Sequence, residues 1–159
     1  MSNGGALWSS PARLGGLSVQ RQAGAGGGGG ASYNFDQVHN STITDSSGTL
    51  YDDGGPTGNY SSDEYWVTID APSGQQVQLT MVSFEFGNPG QWYERLRIWD
   101  NNASTGTILG EFYGSTSAGG ANAPTAGQIL TSTNGHVFIR QDSSTSGTNA
   151  GFEITWRFV

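Results

Sequence analysis

The chain has 159 residues, of which 34% are hydrophobic, 12% are charged and 26 are glycine, enough for one ordinary domain plus an appendage. It has no lysine: six arginines face thirteen acids for a net charge of -7, which repels phosphate backbones and argues against nucleic acid as a partner. The lack of cysteine excludes a disulfide framework, a thiolate zinc site and a Cys nucleophile, and no apolar run reaches the roughly 20 residues of a membrane span.

Residues 1–31 differ from the rest. They hold ten glycines, including the run Gly26–Gly30, two arginines and no acid. Five apolar residues punctuate them: Leu7, Trp8, Leu14, Leu17 and Val19. Glycine content alone suits a disordered tail. A bare linker has no need of such anchors, so the expectation is an extended assembly arm that docks on a neighbouring subunit, with Gly26–Gly30 as its hinge. The arm carries +2 (Arg13, Arg21), and residues 32–159 carry four arginines against thirteen acids, or -9. Ala6, Leu7 and Trp8 run straight into Ser9, Ser10 and Pro11, so no secretory signal is read here.

Residues 32–159 read as strands and turns, with no stretch at helical spacing. Period-two alternation places Val67 and Ile69 inward, then Val77, Leu79 and Met81, then Leu96 and Ile98, then Val137 and Ile139, then Phe152, Ile154, Trp156 and Phe158. Turn residues separate these runs: Asp53-Gly54-Gly55-Pro56, Pro72-Ser73-Gly74, Asn88-Pro89-Gly90 and Asn101–Gly106. Asn134-Gly135, between two apolar runs, predicts a tight hairpin. The fold class expected is all-β: an antiparallel two-sheet β-sandwich of jelly-roll type over residues 32–159, preceded by the arm.

Five ordered blocks carry a family resemblance. They are Tyr65-Trp66-Val67-Thr68-Ile69-Asp70-Ala71-Pro72; Val77-Gln78-Leu79-Thr80 with Phe84-Glu85-Phe86; Tyr93-Glu94-Arg95-Leu96-Arg97-Ile98-Trp99-Asp100; Leu109-Gly110-Glu111-Phe112-Tyr113-Gly114; and Gly151-Phe152 with Ile154 and Trp156. In this order and spacing they resemble a CUB domain from Gly48 to Val159. The resemblance implies a non-catalytic binding module. Tyr65, Gln91 and Tyr113 stand where the family has cysteines. A version without disulfides folds in a reducing cytoplasm, which points to a bacterial or viral source.

Many members of the family hold Ca²⁺ through a Glu, the Asp of a Tyr-Asp pair and a later Asp. The matching positions here are Gly87, Glu94 and Asp142: one carboxylate lost, one lengthened, one kept. The resemblance thus implies a degenerate calcium site on Glu94 and Asp142. A hard cation wants roughly six to eight oxygens, so the alternative, a polar loop held by Asp142 hydrogen bonds, is favoured. No other cofactor is implied.

Other chemistry is thin. The glycine run lacks the Gly-Lys-Ser/Thr of a phosphate loop. Asp52/Asp53 and Asp63/Glu64 are neighbours in sequence, so along a strand they point to opposite sides rather than across a cleft. No elbow motif supports a serine triad. With Leu96 and Ile98 inward, Arg95, Arg97 and Trp99 share the outer face, and Trp92 lies close by in sequence. Such a face stacks on sugars or anchors a protein interface. The alternative is that Trp99 packs under the Asn101–Gly106 loop.

The opening Met1-Ser2-Asn3-Gly4-Gly5 is similar to the starts of some marine bacteriophage structural proteins. The expected function is a non-enzymatic structural and adhesion module of a large assembly, a phage virion. Its partners are other virion subunits through the arm and a glycan or cell-surface receptor at the outer face, in a homo-oligomeric array on the virion surface. The rivals are a bacterial extracellular filament subunit using strand donation and a carbohydrate-binding accessory domain of a secreted enzyme.

Overall fold

The computed structural model describes residues 30–87, 94–115, 122–143 and 149–159. The arm anchors Leu7, Trp8, Leu14, Leu17 and Val19, together with Trp92, lie outside the described residues. Among the described residues eleven strands run in chain order: β1 (Ala31–Asn34), β2 (Ser41–Ile43), β3 (Ser47–Tyr51), β4 (Tyr65–Asp70), β5 (Val77–Phe86), β6 (Arg95–Trp99), β7 (Ile108–Phe112), β8 (Gly114–Ser115), β9 (Ile129–Thr131), β10 (His136–Asp142) and β11 (Gly151–Phe158). The helical element among the described residues is one 3-10 turn, Phe35–Val38.

The strands form two sheets. One has the order β1-β3-β11-β5-β8, with β9 also on β5; the other has the order β2-β4-β10-β6-β7. Each run that alternates in sequence closes the core from its own sheet. Val67, Ile69, Leu96, Ile98, Val137 and Ile139 come from the five-stranded sheet, and Leu79, Met81, Phe84, Phe86, Ile154 and Trp156 from the other. All twelve are at most 3% exposed, so no sulfur bridge is needed to seal the interior. Tyr65, at one of the cysteine positions, is partly buried and packs against that core with its ring 6.1 Å from Phe35.

Two expectations need correction. The sandwich is not purely antiparallel: β1 pairs with β3 and β2 with β4 in parallel. The connection through the 3-10 turn carries the chain from one sheet to the other, so β1 and β2 each join an edge in the direction the crossover leaves them. Nor does Asn134-Gly135 close a hairpin. β9 pairs with β5 in one sheet and β10 with β4 and β6 in the other, so the turn is a corner between sheets. Asp100 pins it: Oδ1 accepts the Thr133 amide (2.9 Å), Oδ2 the Thr133 hydroxyl (2.6 Å), and the Asp100 carbonyl accepts Asn134 Nδ2 (3.0 Å). These long-range bonds aim the chain away from β9, where local turn chemistry alone would have folded it back.

Candidate functional site

Two polar regions stand out against the apolar core. The first is the outer face of the five-stranded sheet. Because Val67, Ile69, Leu96, Ile98, Val137 and Ile139 point inward, Trp66, Thr68, Arg95, Arg97, Trp99, Phe138, Arg140 and Asp142 point out. Strand register lines Trp66, Arg140, Arg97 and Glu111 across four strands.

Charges on this face are paired. Asp142 Oδ2 lies 2.6 Å from Arg97 Nη2 and 3.3 Å from Arg95 Nε, and Asp142 Oδ1 lies 2.9 Å from Arg140 Nε. Outside this centre, Arg95 Nη1 meets Glu111 at 2.9 Å and Arg140 Nη2 meets Glu64 at 2.8 Å. Within this network the three arginines and the three carboxylates Asp142, Glu111 and Glu64 balance one another.

Trp99 does reach the outer face, but it is only 4% exposed. Its ring packs against Phe138 (5.8 Å) with the Arg97 guanidinium 5.0 Å from its centre. The Thr68 hydroxyl, on β4, reaches the carbonyl of Asn102 at 3.5 Å. Asn102 follows β6, and β10 lies between β4 and β6, so the loop after β6 lies across the face above Phe138. Trp99 is therefore a floor under the Asn101–Gly106 loop rather than a stacking platform. Trp66 is the half-buried indole beside the arginines, its Nε1–H donated to Asn40 Oδ1 at 3.2 Å. Alternation around Val67 and Val137 was enough to place Trp66 and Arg140 here, although neither was singled out from the sequence.

The second region is the end of the sandwich around Tyr60, Asp52 and Glu94. Tyr60 stacks on Phe86 at 4.4 Å and is 2% exposed. Its hydroxyl donates to Glu94 Oε2 (2.9 Å) and accepts the Gly87 amide (3.0 Å). Burial raises the Tyr60 pKa first, and the hydrogen bond to Glu94 adds to it. Gly87 has a φ of +49°, and a Cβ there would collide with Glu94 Oε2. Asn149 bridges the parts, donating Nδ2 to the Gly87 carbonyl (3.3 Å) while its own carbonyl accepts the Tyr60 amide (3.3 Å).

Asp52 is fully buried beside them. Its Oδ1 accepts the Gly54 amide (2.7 Å) and Oδ2 the Phe152 amide (3.1 Å). Burial pushes its carboxyl up to about 6, against the pull of those two amides and with a smaller push from Asp53. The sign follows from linkage: folded Asp52 holds its proton more tightly than the unfolded chain, so its contribution is fully present below the ordinary 3.8 and is lost as pH rises toward 6. Urea unfolding at pH 4.5 and pH 7 is expected to show a drop that Asp52→Asn lacks. Parallel pH profiles for the two proteins would refute the assignment.

Glu94 and Asp142, the expected calcium pair, are not brought together. In the register Asp142 faces Arg95 on the outer side of the sheet. Glu94 precedes Arg95 by one residue and turns inward to Tyr60 at 2% exposure. A one-residue offset reverses the face, so the two carboxylates lie on opposite sides of β6. Gly87 supplies no carboxylate, and no group of three or more His, Cys, Asp or Glu gathers among the described residues. Among the described residues, Gly87, Glu94 and Asp142 do not assemble the family's cation site.

A sandwich core sealed by alternating strands, with the five sequence blocks in register on β4 to β7 and β11, is the geometry against which known proteins were compared. The CUB domain model matches residues 39–156. The chain belongs to the CUB domain family. No curated protein matches it. Among solved structures, the full extracellular region of zebrafish Gpr126/Adgrg6 is 27% identical with a TM-score of 0.56, over 76% of this chain and 14% of that one. The MASP-1 CUB2 domain bound to Ca²⁺ is 22% identical with a TM-score of 0.58, over 75% of this chain and 98% of that one. The CUB1-EGF-CUB2 region of human MASP-1/3 is 23% identical with a TM-score of 0.57, over 76% of this chain and 42% of that one. The CUB chain thus spans a small part of the zebrafish region and under half of the human one. CUB domains are modules for binding and protein–protein interaction. Among the described residues no helix is long and apolar enough to cross a membrane.

Proposed function

We propose that this CUB domain is a non-enzymatic structural and adhesion module of a large assembly, a phage virion, in which residues 1–31 anchor the chain to neighbouring subunits and the sandwich is displayed outward. The charge split carries the reading: an arm of +2 with five apolar anchors precedes a body of -9. Opposite charge draws the arm to a neighbouring body. Burying each of Leu7, Trp8, Leu14 and Leu17 contributes roughly 1.5–3 kcal/mol before ordering costs, and repetition across an array adds avidity. The likeness of Met1–Gly5 to phage structural proteins and the absence of cysteine support the virion surface as the location. A glycan or receptor would meet the outer face of the five-stranded sheet at Trp66, Arg97 and Arg140. Trp66 replaces Trp99 in this role because, of the described residues Trp66, Trp99 and Trp156, it is the one left partly open.

A second reading is an extracellular or cell-surface filament subunit, favoured by the extracellular setting of the zebrafish relative. Sedimentation of the full chain and of a version lacking residues 1–29, which leaves β1 intact, tests the arm. The full chain is expected to form higher oligomers and the truncated chain to run as a monomer. A full chain that is monomeric, with the truncation changing nothing, removes the anchoring role.

A further inference from the structure

We propose that three arginines supply in this chain the positive charge that a divalent cation would bring to Asp142: Arg95 and Arg97 hold the end of β10 against β6, and Arg140, on β10 itself, ties that end to Glu64 beside β4. The residue at the centre is Asp142, the one family ligand position that keeps its aspartate. Its Oδ2 accepts hydrogen bonds from Arg97 Nε at 2.9 Å and Arg95 Nε at 3.3 Å and lies 2.6 Å from Arg97 Nη2, while its Oδ1 is ion-paired with Arg140 Nε at 2.9 Å without a hydrogen bond. Both oxygens are engaged, and the carboxylate side chain is only 15% exposed.

A calcium ion on the same oxygens, at roughly 2.3–2.6 Å, would stand against three guanidinium charges. The other two ligand positions are also committed. Glu94 is on the opposite side of the strand under the Tyr60 hydroxyl, and the room a side chain at Gly87 would need is taken by Glu94 Oε2. The ligand set has thus been divided into two metal-free parts. One is the inward lock of Tyr60, Glu94 and the Gly87 amide. The other is the outward belt that runs Glu64, Arg140, Asp142, Arg97 and Arg95 to Glu111. The belt ties Glu64, next to β4, to β10, β6 and β7. Planar guanidiniums suit this role because each donates several hydrogen bonds at fixed angles to a carboxylate.

The consequence is a domain whose stability does not respond to chelators; salt screens the outer pairs to Glu111 and Glu64 more than the mostly buried pairs at Asp142. The full chain, stripped with a chelator, is heated with and without millimolar CaCl₂, and calcium binding is measured by calorimetry on the same sample. No shift in melting temperature and no binding heat are expected. Asp142→Asn is expected to melt several degrees lower, equally with chelator and with calcium. Calcium binding by the wild-type chain, or a calcium-induced rise of several degrees, overturns the proposal. So does an Asp142→Asn protein as stable as wild type. If that variant does not fold, Arg140→Gln takes its place with the same expected losses, and the calorimetry needs no variant.

Discussion

Replacing Gly151 by alanine is expected to destabilise the domain by at least about 3 kcal/mol. Two separate costs add. Gly151 sits at φ +74°, where a side chain strains the backbone. A Cβ there would also run into Asp52 Oδ2, which cannot retreat because the Gly54 and Phe152 amides hold the carboxylate in place. Gly74 separates the two terms. Its φ is +87°, yet nothing lies within 4 Å of the added atom, so Gly74→Ala should cost only the backbone part, about 1 kcal/mol. Urea denaturation of both variants checks this. Equal losses at the two sites would mean that the contact with Asp52 carries no weight.

Phe86→Ala is expected to cost about 3–5 kcal/mol. Phe86 is 0% exposed and stacks on Tyr60 at 4.4 Å and on Phe84 at 4.9 Å. Its loss leaves a cavity that strands from both sheets cannot close by collapse, and it removes the support under the Tyr60 hydroxyl that holds Glu94. Val82→Ala, on the same strand but with Val82 39% exposed, should change stability by less than about 1 kcal/mol. Thermal melts with a tryptophan fluorescence readout measure both. A Phe86→Ala protein within 1 °C of wild type would mean that this aromatic stack is not part of the stabilising core.

The pH dependence expected at Asp52 and the cost expected at Gly151 come from one arrangement. The Asp52 carboxylate caps the turn that starts at Gly54 and the strand that resumes at Phe152. Neither the Asp52-Asp53 pair nor the Gly151-Phe152 pair announces this in sequence, because the hydrogen bond from Phe152 spans 100 residues. The same holds for Asp142. Its aspartate is legible as a family position, but its partners come from β6 and from its own strand only once the register sets Asp142 opposite Arg95.

What the sequence determined alone was the side each strand shows to the core. Alternation is a local property, and in the runs around Val67, Leu79, Ile98, Val137 and Ile154 it placed the buried residues correctly, with Arg95 and Arg97 on the outer face and Trp99 buried there at 4% exposure. It also carried the family, because five short blocks in fixed order survive the loss of every cysteine. Tertiary structure decided which strands become neighbours: the parallel pairings of β1 and β2, the corner at Asn134-Gly135, the loop over Trp99, and the separation of Glu94 from Asp142 by one step of the pleat. Pairing depends on contacts between residues tens of positions apart, whose energies no local window contains, and a single-residue offset in register reverses which face a carboxylate occupies.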